Sequence, residues 1–274
     1  ESPEAFVLRM SIEKAKAVAH SGSGWVVAGD TVISFKGEII GKPQGVEHAK
    51  EMLNILSGER HEVLSGWAIC SEEGEVASSG ISRAGVEFHP LSPERIEKYV
   101  QTGEPLDKAG SYGIQGLGGR LVSSLEGSFD GVIGAPLEEI ARALISLGAI
   151  QPTTPHLLMN AIEIRQRVKL SAWRSGRSLD TPRLLAVSKR HPAQLIHEAR
   201  GYGFSDFGES YLQEWLEKRA HFISRSAGET IRTPCWHYIG GIQTNKAKKI
   251  GAVADWVHGL SRLGEAQRLS DAAQ

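Results

Sequence analysis

A proline-bearing stretch near the middle of the chain, Ala149-Ile150-Gln151-Pro152-Thr153-Thr154-Pro155, separates two different hydrophobic rhythms. Two prolines among small polar residues break helix and strand alike, so the stretch reads as a linker between parts that fold separately. Beyond it come four short strand candidates, 184–188, 204–208, 236–240 and 255–258, each followed by a helical segment. That alternation predicts a parallel sheet with crossover helices. The 274 residues suffice for two ordinary domains. The division expected is a first domain over 1–148, a linker over 149–156 and a second domain over 157–274.

Bulk properties narrow the function classes. Apolar residues make up 41% and charged residues 23%, as in a globular protein, and the net charge is -1. Such a balance gives no basis for a nucleic-acid surface or a polybasic membrane patch. No apolar run approaches the roughly 18 residues of a membrane helix. The N-terminal Glu1-Ser2-Pro3-Glu4 does not resemble a signal peptide. A cytoplasmic location is the expectation. Cys70 and Cys235 lie far apart in unlike contexts and suit buried thiols better than a disulfide framework or a zinc site.

In the first half, Ser2-Pro3-Glu4 predicts a helix start, with a capping hydroxyl, proline in the first turn and an acid at the positive dipole end. That helix runs to about His20. Lys14 follows Met10 by four residues and precedes Ala17 by three, which puts it on the apolar side, either snorkelling or entering a site. Residues 25–35 read as a strand on which Asp30 shares a face with Val26, Ala28 and Val32. A carboxylate there needs a cation, a metal or a donor beside it. Gly37 turns the chain toward Gly41-Lys42-Pro43. Val46, Ala49, Met52, Leu53 and Leu56 give the next helix its stripe, which ends at Gly58. Strands are expected at 61–70 and 82–89, and helices at 92–103 and 136–147. Residues 110–119 read as a glycine-dense loop.

These residues offer one strand acid, Asp30, and lysines at 14, 42 and 108. They also include the loop Asp107-Lys108-Ala109-Gly110-Ser111-Tyr112-Gly113-Ile114-Gln115-Gly116. Lysines converging on one acid suit a polyphosphate bound with a divalent cation, with the acid holding metal or activating water. Gln115 has an amide able to read a base edge. Surface lysines around an ordinary loop would present the same spacing.

The ordered motifs Ala28-Gly29-Asp30-Thr31-Val32, Gly41-Lys42-Pro43, Leu56-Ser57-Gly58 with His61, and the 107–116 loop resemble those of the Maf family of nucleoside triphosphate pyrophosphatases. Glu13-Lys14-Ala15 and Gly127-Ser128 through Gly134-Ala135-Pro136-Leu137 extend the resemblance across 1–148. It implies a mixed sheet with flanking helices. It also implies hydrolysis of a nucleoside triphosphate, dTTP/UTP-like or modified, to the monophosphate and pyrophosphate with Mg²⁺ or Mn²⁺. On this resemblance Asp30 is the catalytic acid/base or metal-linked carboxylate. Lys14 and Lys42 bind phosphate, joined by Lys108 on charge grounds, and Gln115 contacts the base. Family members begin with a strand and a Ser-Pro-Arg loop, so the first strand and its phosphate clamp are expected to be missing here.

In the second half, Leu184-Leu185-Ala186-Val187-Ser188-Lys189 is an apolar run ending in a lysine, the position at which a barrel places reactive groups. A strand-end lysine simply reaching solvent fits the same pattern. This segment, with Asp206-Phe207-Gly208-Glu209-Ser210-Tyr211, Gln213-Glu214, Trp236-His237-Tyr238-Ile239-Gly240, Gln243-Thr244-Asn245-Lys246 and Ala254-Asp255-Trp256-Val257-His258, resembles the YggS/PROSC family. The resemblance implies part of a (β/α)8 barrel, about four of its eight strands. It further implies a non-enzymatic pyridoxal 5'-phosphate-binding role with Lys189 as the Schiff-base lysine. Ser210 stands where that family usually has asparagine, and His237 reads as a packed strand histidine. Open parallel edges predict either association, a homo-oligomer included, or instability. Nucleotide hydrolysis is the leading reading, cofactor holding the alternative, and an inactive fusion fragment the third.

Overall fold

The computed structural model describes residues 1–19, 24–179, 182–226 and 233–273, apart from the side chains of 224–226. His20, where the first helix was expected to end, and Gln274, where the second domain was, lie outside them. The chain divides into two compact units, Glu1–Pro152 with Ile162–Thr181, and Thr153–Ala161 with Pro182–Gln274.

The first unit starts with α1 (Pro3–Ala19), where the Ser2 hydroxyl accepts the Ala5 N–H at 3.2 Å. Next come β1 (Val26–Phe35) and β2 (Glu38–Ile40), joined by Lys36 and Gly37 at φ 53 and 86. Both central residues lie in the left-handed region, as a tight hairpin requires, and Gly37 serves the turn as expected. Then follow α2 (Val46–Leu56), β3 (Arg60–Cys70), β4 (Val76–Phe88), α3 (Pro93–Val100), β5 (Val122–Gly127), α4 (Phe129–Ile133) and α5 (Leu137–Ser146). The sheet order is β2-β1-β3-β4-β5, with antiparallel pairing throughout.

Two faces of this sheet are covered differently. α1 presents Val7, Ser11, Ala15 and Ala19 to the sheet, all buried. That stripe corrects the sequence reading of the helix: Met10 is half-buried, Ala17 is exposed and Lys14 lies on the flank. Small residues at i, i+4 spacing allow a closer approach than a larger stripe would. The opposite face packs Ile33, Leu53, Leu56, Val63, Phe88 and Ile96 into the main core. Each large aliphatic side chain buried there contributes about 1.5–3 kcal/mol.

Four elements exceed the sequence expectations. β5, β2 and the short α4 were not anticipated, and β4 begins six residues before the expected 82. Their sequences, Val-Ser-Ser-Leu-Glu-Gly in β5 and Val-Ala-Ser-Ser-Gly at the start of β4, carry weak strand propensity, and pairing with a neighbour overrides it. The glycine-dense loop folds into short 3-10 turns, Ala109–Ser111 and Leu117–Leu121.

α6 (Pro155–Arg174) contributes its later residues to the first unit. There Lys169 Nζ meets the buried Asp130 carboxylate at 3.0 Å, and the Trp173 ring lies 6.2 Å from that of Phe129.

The second unit alternates β6 (Leu185–Val187), α7 (Ala193–Gly201), β7 (Asp206–Glu209), α8 (Leu212–Ser226), β8 (Cys235–Tyr238), α9 (Ala247–Gly251), β9 (Trp256–Val257) and α10 (Leu263–Ala273). Its sheet runs β6-β7-β8-β9 with parallel pairing, as the alternation predicted. Phe207, Trp236 and Tyr238 turn to one face and pack with Trp215 and Phe222 of α8. The parallel and antiparallel pairing of this α/β chain is thus divided between two sheets. No helix among the described residues is long and apolar enough to cross a membrane.

Candidate functional site

Asp30 lies in β1 directly opposite Gly66 of β3. A side chain at Gly66 would place its Cβ 2.6 Å from the Val7 carbonyl oxygen and 2.8 Å from Ser11 Oγ, both on α1. The missing side chain therefore lets α1 approach the sheet beside Asp30. Lys14 exploits that approach: its Nζ donates to Asp30 Oδ1 at 2.5 Å and reaches the Gly29 carbonyl at 3.5 Å. The acid thus has the cation that its strand position demanded. Its side chain is 20% exposed, so the pair is open to solvent and to a ligand.

Strand alternation turns Thr31 and Ile33 to the other face of β1. There a cavity of about 540 Å³ is lined by Lys42, Lys108, Gln115, Asp107, Tyr112 and Thr31 among others. Lys42 and Gln115 are exposed, and their side chains have no hydrogen-bond or ion-pair partner among the described residues. Lys108 Nζ meets Asp107 Oδ1 at 2.7 Å, and that contact holds the Asp107 carboxyl below its usual range.

The sequence reading had the lysines converge on the acid. Only Lys14 does so in the structure, because adjacent residues of a strand point to opposite faces. Lys42, Lys108 and Gln115 gather at the cavity instead. Over Val26–Val32 the outer edge of β1 has no strand partner among the described residues, since β2 pairs only with positions 33–35. A ligand contacting both groups would cross that edge.

The cavity wall has its own scaffold, which the sequence reading did not single out. Glu104 Oε1 accepts from the Tyr99 hydroxyl at 2.9 Å and from the Gly118 N–H at 2.9 Å, and Oε2 accepts from the Leu117 N–H at 2.8 Å. Gly110, at φ +66, packs where a Cβ would lie 2.4 Å from Ile33 Cδ1. Behind the wall, His61 Nε2 and the Tyr112 hydroxyl are 2.8 Å apart. Burial holds the His61 imidazole down to about 4 and pushes the Tyr112 phenol up. Thr31 Oγ1 donates to Ser65 Oγ at 2.7 Å, because the Ser65 proton goes to the Gly131 carbonyl at 2.6 Å.

In the second unit, Lys189 follows the carboxyl end of β6, is exposed, and has no hydrogen-bond or ion-pair partner among the described residues. The turn carrying it is anchored by Lys218, a buried α8 cation that nothing in the sequence pattern announced. Lys218 Nζ donates to the Ser188 carbonyl at 2.7 Å, to Glu209 Oε1 at 2.7 Å and to Glu214 Oε1 at 2.6 Å. Glu209 is fully buried and also accepts the Ser188 hydroxyl at 2.6 Å. His237 is buried, as expected of a packed strand histidine, but its ring is engaged in polar contacts on both nitrogens.

Known proteins resemble parts of the chain. The dTTP/UTP pyrophosphatase of Desulfotalea psychrophila (strain LSv54 / DSM 12343) is 42% identical over 151 residues, 55% of this chain and 77% of that protein. The dTTP/UTP pyrophosphatase of Bacillus cereus (strain G9842) is 44% identical over 144 residues, 52% of this chain and 74% of that protein. Among solved structures, PipY of Synechococcus elongatus PCC7942, the COG0325 family member with PLP bound, is 35% identical, with a TM-score of 0.30. That match covers 38% of this chain and 46% of PipY, so the chain spans about half the length of the solved protein. Residues 1–147, which hold Asp30, Lys42 and the cavity, match the family described as Maf-like protein. The motif order seen in the sequence and the match over more than half the chain agree: the chain belongs to the Maf-like protein family.

Proposed function

We propose that the first unit hydrolyses a nucleoside triphosphate of the dTTP/UTP kind to the monophosphate and pyrophosphate. The observation that carries this reading is the unpartnered ammonium of Lys42 in a cavity that also presents Lys108 and the free amide of Gln115. An unpartnered ammonium, with a second lysine and a free amide nearby, suits a ligand with a phosphate chain at one end and a base at the other. The curated relatives, named dTTP/UTP pyrophosphatase, support the same substrate class.

In this reading Gln115 hydrogen-bonds the base edge and the Tyr112–Gly113–Ile114 segment packs beside it. Lys42 and Lys108 take phosphate oxygens in the cavity, and Lys14 takes those that pass the open edge of β1. Asp30 accepts the proton of the water that attacks the α-phosphorus, and the bond to the bridging oxygen breaks to release pyrophosphate. Lys14 holds Asp30 aimed, and its own charge stabilises the charge developing on the phosphate. Asp30 Oδ2 has no partner among the described residues, so this carboxylate fits a hard divalent ion held mainly by substrate phosphates. Mg²⁺ or Mn²⁺ bound there would neutralise phosphate charge.

The test is direct. Purified protein with Mg²⁺ or Mn²⁺ should release pyrophosphate from dTTP or UTP, and Asp30→Asn should abolish the release. No release from any nucleoside triphosphate overturns the proposal.

A second reading rests on Lys189. An exposed, unpartnered amine on a turn anchored by Lys218 suits capture of an aldehyde such as pyridoxal 5'-phosphate. Borohydride treatment with the cofactor should leave a pyridoxyl group on Lys189. Equal cofactor binding by Lys189→Ala would remove this reading.

A further inference from the structure

In the second unit, the face of the parallel sheet opposite Phe207, Trp236 and Tyr238 carries three metal-ligating side chains on adjacent strands. Asp206 of β7 and Cys235 of β8 are register partners, and His237 lies two residues along β8. One ligand atom from each lies within 4.8 Å of the others. His237 Nε2 is 2.9 Å from Asp206 Oδ1 and 3.5 Å from Cys235 Sγ. Asp206 and His237 are buried and Cys235 is half-buried. Sequence spacing hides this group, because Asp206 lies far from Cys235 along the chain and a Cys-x-His pair alone is no metal motif.

The histidine decides between a hydrogen-bonded cluster and a ligand set. Its Nδ1 is 2.9 Å from His258 Nε2. If Nδ1 carries the proton and donates to His258, the Nε2 lone pair faces both Asp206 and Cys235. No N–H then separates the nitrogen from the carboxylate, and a cation is the group that satisfies all three atoms. A metal-bound imidazole uses its second nitrogen in this way, giving that N–H to a neighbouring acceptor. Tetrahedral bond lengths of about 2.0–2.3 Å place ligand atoms about 3.3–3.8 Å apart, close to the 2.9 and 3.5 Å that His237 Nε2 keeps from Asp206 and Cys235, while the third pair lies within 4.8 Å. Asp206 Oδ1 also meets the guanidinium of Arg183, whose side chain is 62% exposed, and Oδ2 accepts the Ser205 hydroxyl at 2.6 Å, so an ion at Oδ1 takes the place of the Arg183 contact.

We propose that Asp206, Cys235 and His237 form a binding site for a zinc-class divalent ion, with its fourth position open toward the exposed sheet face. Thiolate and imidazole select Zn²⁺ or Co²⁺ over Mg²⁺ and Ca²⁺, which take oxygen ligands. Loading deprotonates the Cys235 thiol and releases its proton to solvent, so a carboxylate and a thiolate balance the dication. The site is independent of the oxygen-ligated ion suggested for the first unit, and of the pyrophosphatase reading.

The experiment uses the whole chain in excess Mg²⁺. Co²⁺ titration should give the visible ligand-field bands of a tetrahedral ion and a thiolate-to-cobalt charge-transfer band, saturating at one equivalent. Zn²⁺ should displace both. Cys235→Ser should abolish the charge-transfer band and weaken Zn²⁺ binding by at least about tenfold. In the unaltered protein, Zn²⁺ should protect Cys235 from iodoacetamide and a chelator should restore the reaction, with buried Cys70 as internal reference. Absence of both band and protection overturns the proposal, leaving Asp206, His237 and His258 as a hydrogen-bonded relay. An unchanged charge-transfer band in Cys235→Ser overturns it too.

Discussion

Gly66 and Asp30 are register partners across β3 and β1, so one position of the sheet holds the acid and admits a close approach of α1. Lys14 can reach Asp30 because nothing but a hydrogen atom stands between Gly66 and the Val7 carbonyl. Gly66→Ala should therefore push α1 outward and loosen the Lys14–Asp30 contact. Overpacking of this kind costs about 1–3 kcal/mol. Thermal unfolding should show the loss, and pyrophosphate release should fall with it. An unchanged melting temperature would mean that α1 is not held against β3 as described.

Lys14→Met separates catalysis from stability. The lysine side chain is 47% exposed, and exposed pairs contribute about 0–1 kcal/mol, so the melting temperature should barely move. On the proposed function, turnover should fall by at least about tenfold, the usual effect of removing one charge from a reacting phosphate. A Lys14→Met protein that turns over normally would place the lysine outside the site.

His61 predicts a pH dependence of stability. Its imidazole titrates near 4 in the folded protein because burial disfavours the cation. In the unfolded chain it titrates near 6.5. Below about 6.5 the unfolded state therefore binds the extra proton, and stability falls as pH drops toward 4, by up to about 3 kcal/mol. Denaturant unfolding between pH 7 and 4.5 should show this slope, and His61→Phe should flatten it relative to the unaltered protein. Parallel slopes in the two proteins would mean that another group is responsible.

Lys169 and Asp130 test the docking of the later part of α6. The carboxylate is buried, at 4% exposure, and the lysine supplies its charge partner. Lys169→Met should destabilise by about 1–3 kcal/mol, since a buried charge without its partner is costly and the 35% exposed lysine tempers the loss. Adding Asp130→Asn should recover part of it. No recovery in the double variant would show that the loss in Lys169→Met does not come from leaving the Asp130 charge unpaired.

Much of this was legible in the chain itself. The turn at Gly37, the Ser92-capped α3 and the parallel strands of the second unit follow from local signals that act within a few residues. β5 and the start of β4 were not legible, because serine- and glycine-rich segments become strands only when a partner strand offers its backbone.

The candidate site divides in the same way. Sequence alone determined the residue types, Asp30 with lysines at 14, 42 and 108 and Gln115, through motifs whose order is read along the chain. Which of them meet was decided by tertiary structure. Strand alternation sent Asp30 and Thr31 to opposite faces, the hydrogen atom of Gly66 admitted α1, and β-sheet register brought Asp206, Cys235 and His237 within reach of one ion. A motif records what a residue can do chemically, whereas proximity between residues far apart in sequence is created only when backbones pair and helices pack.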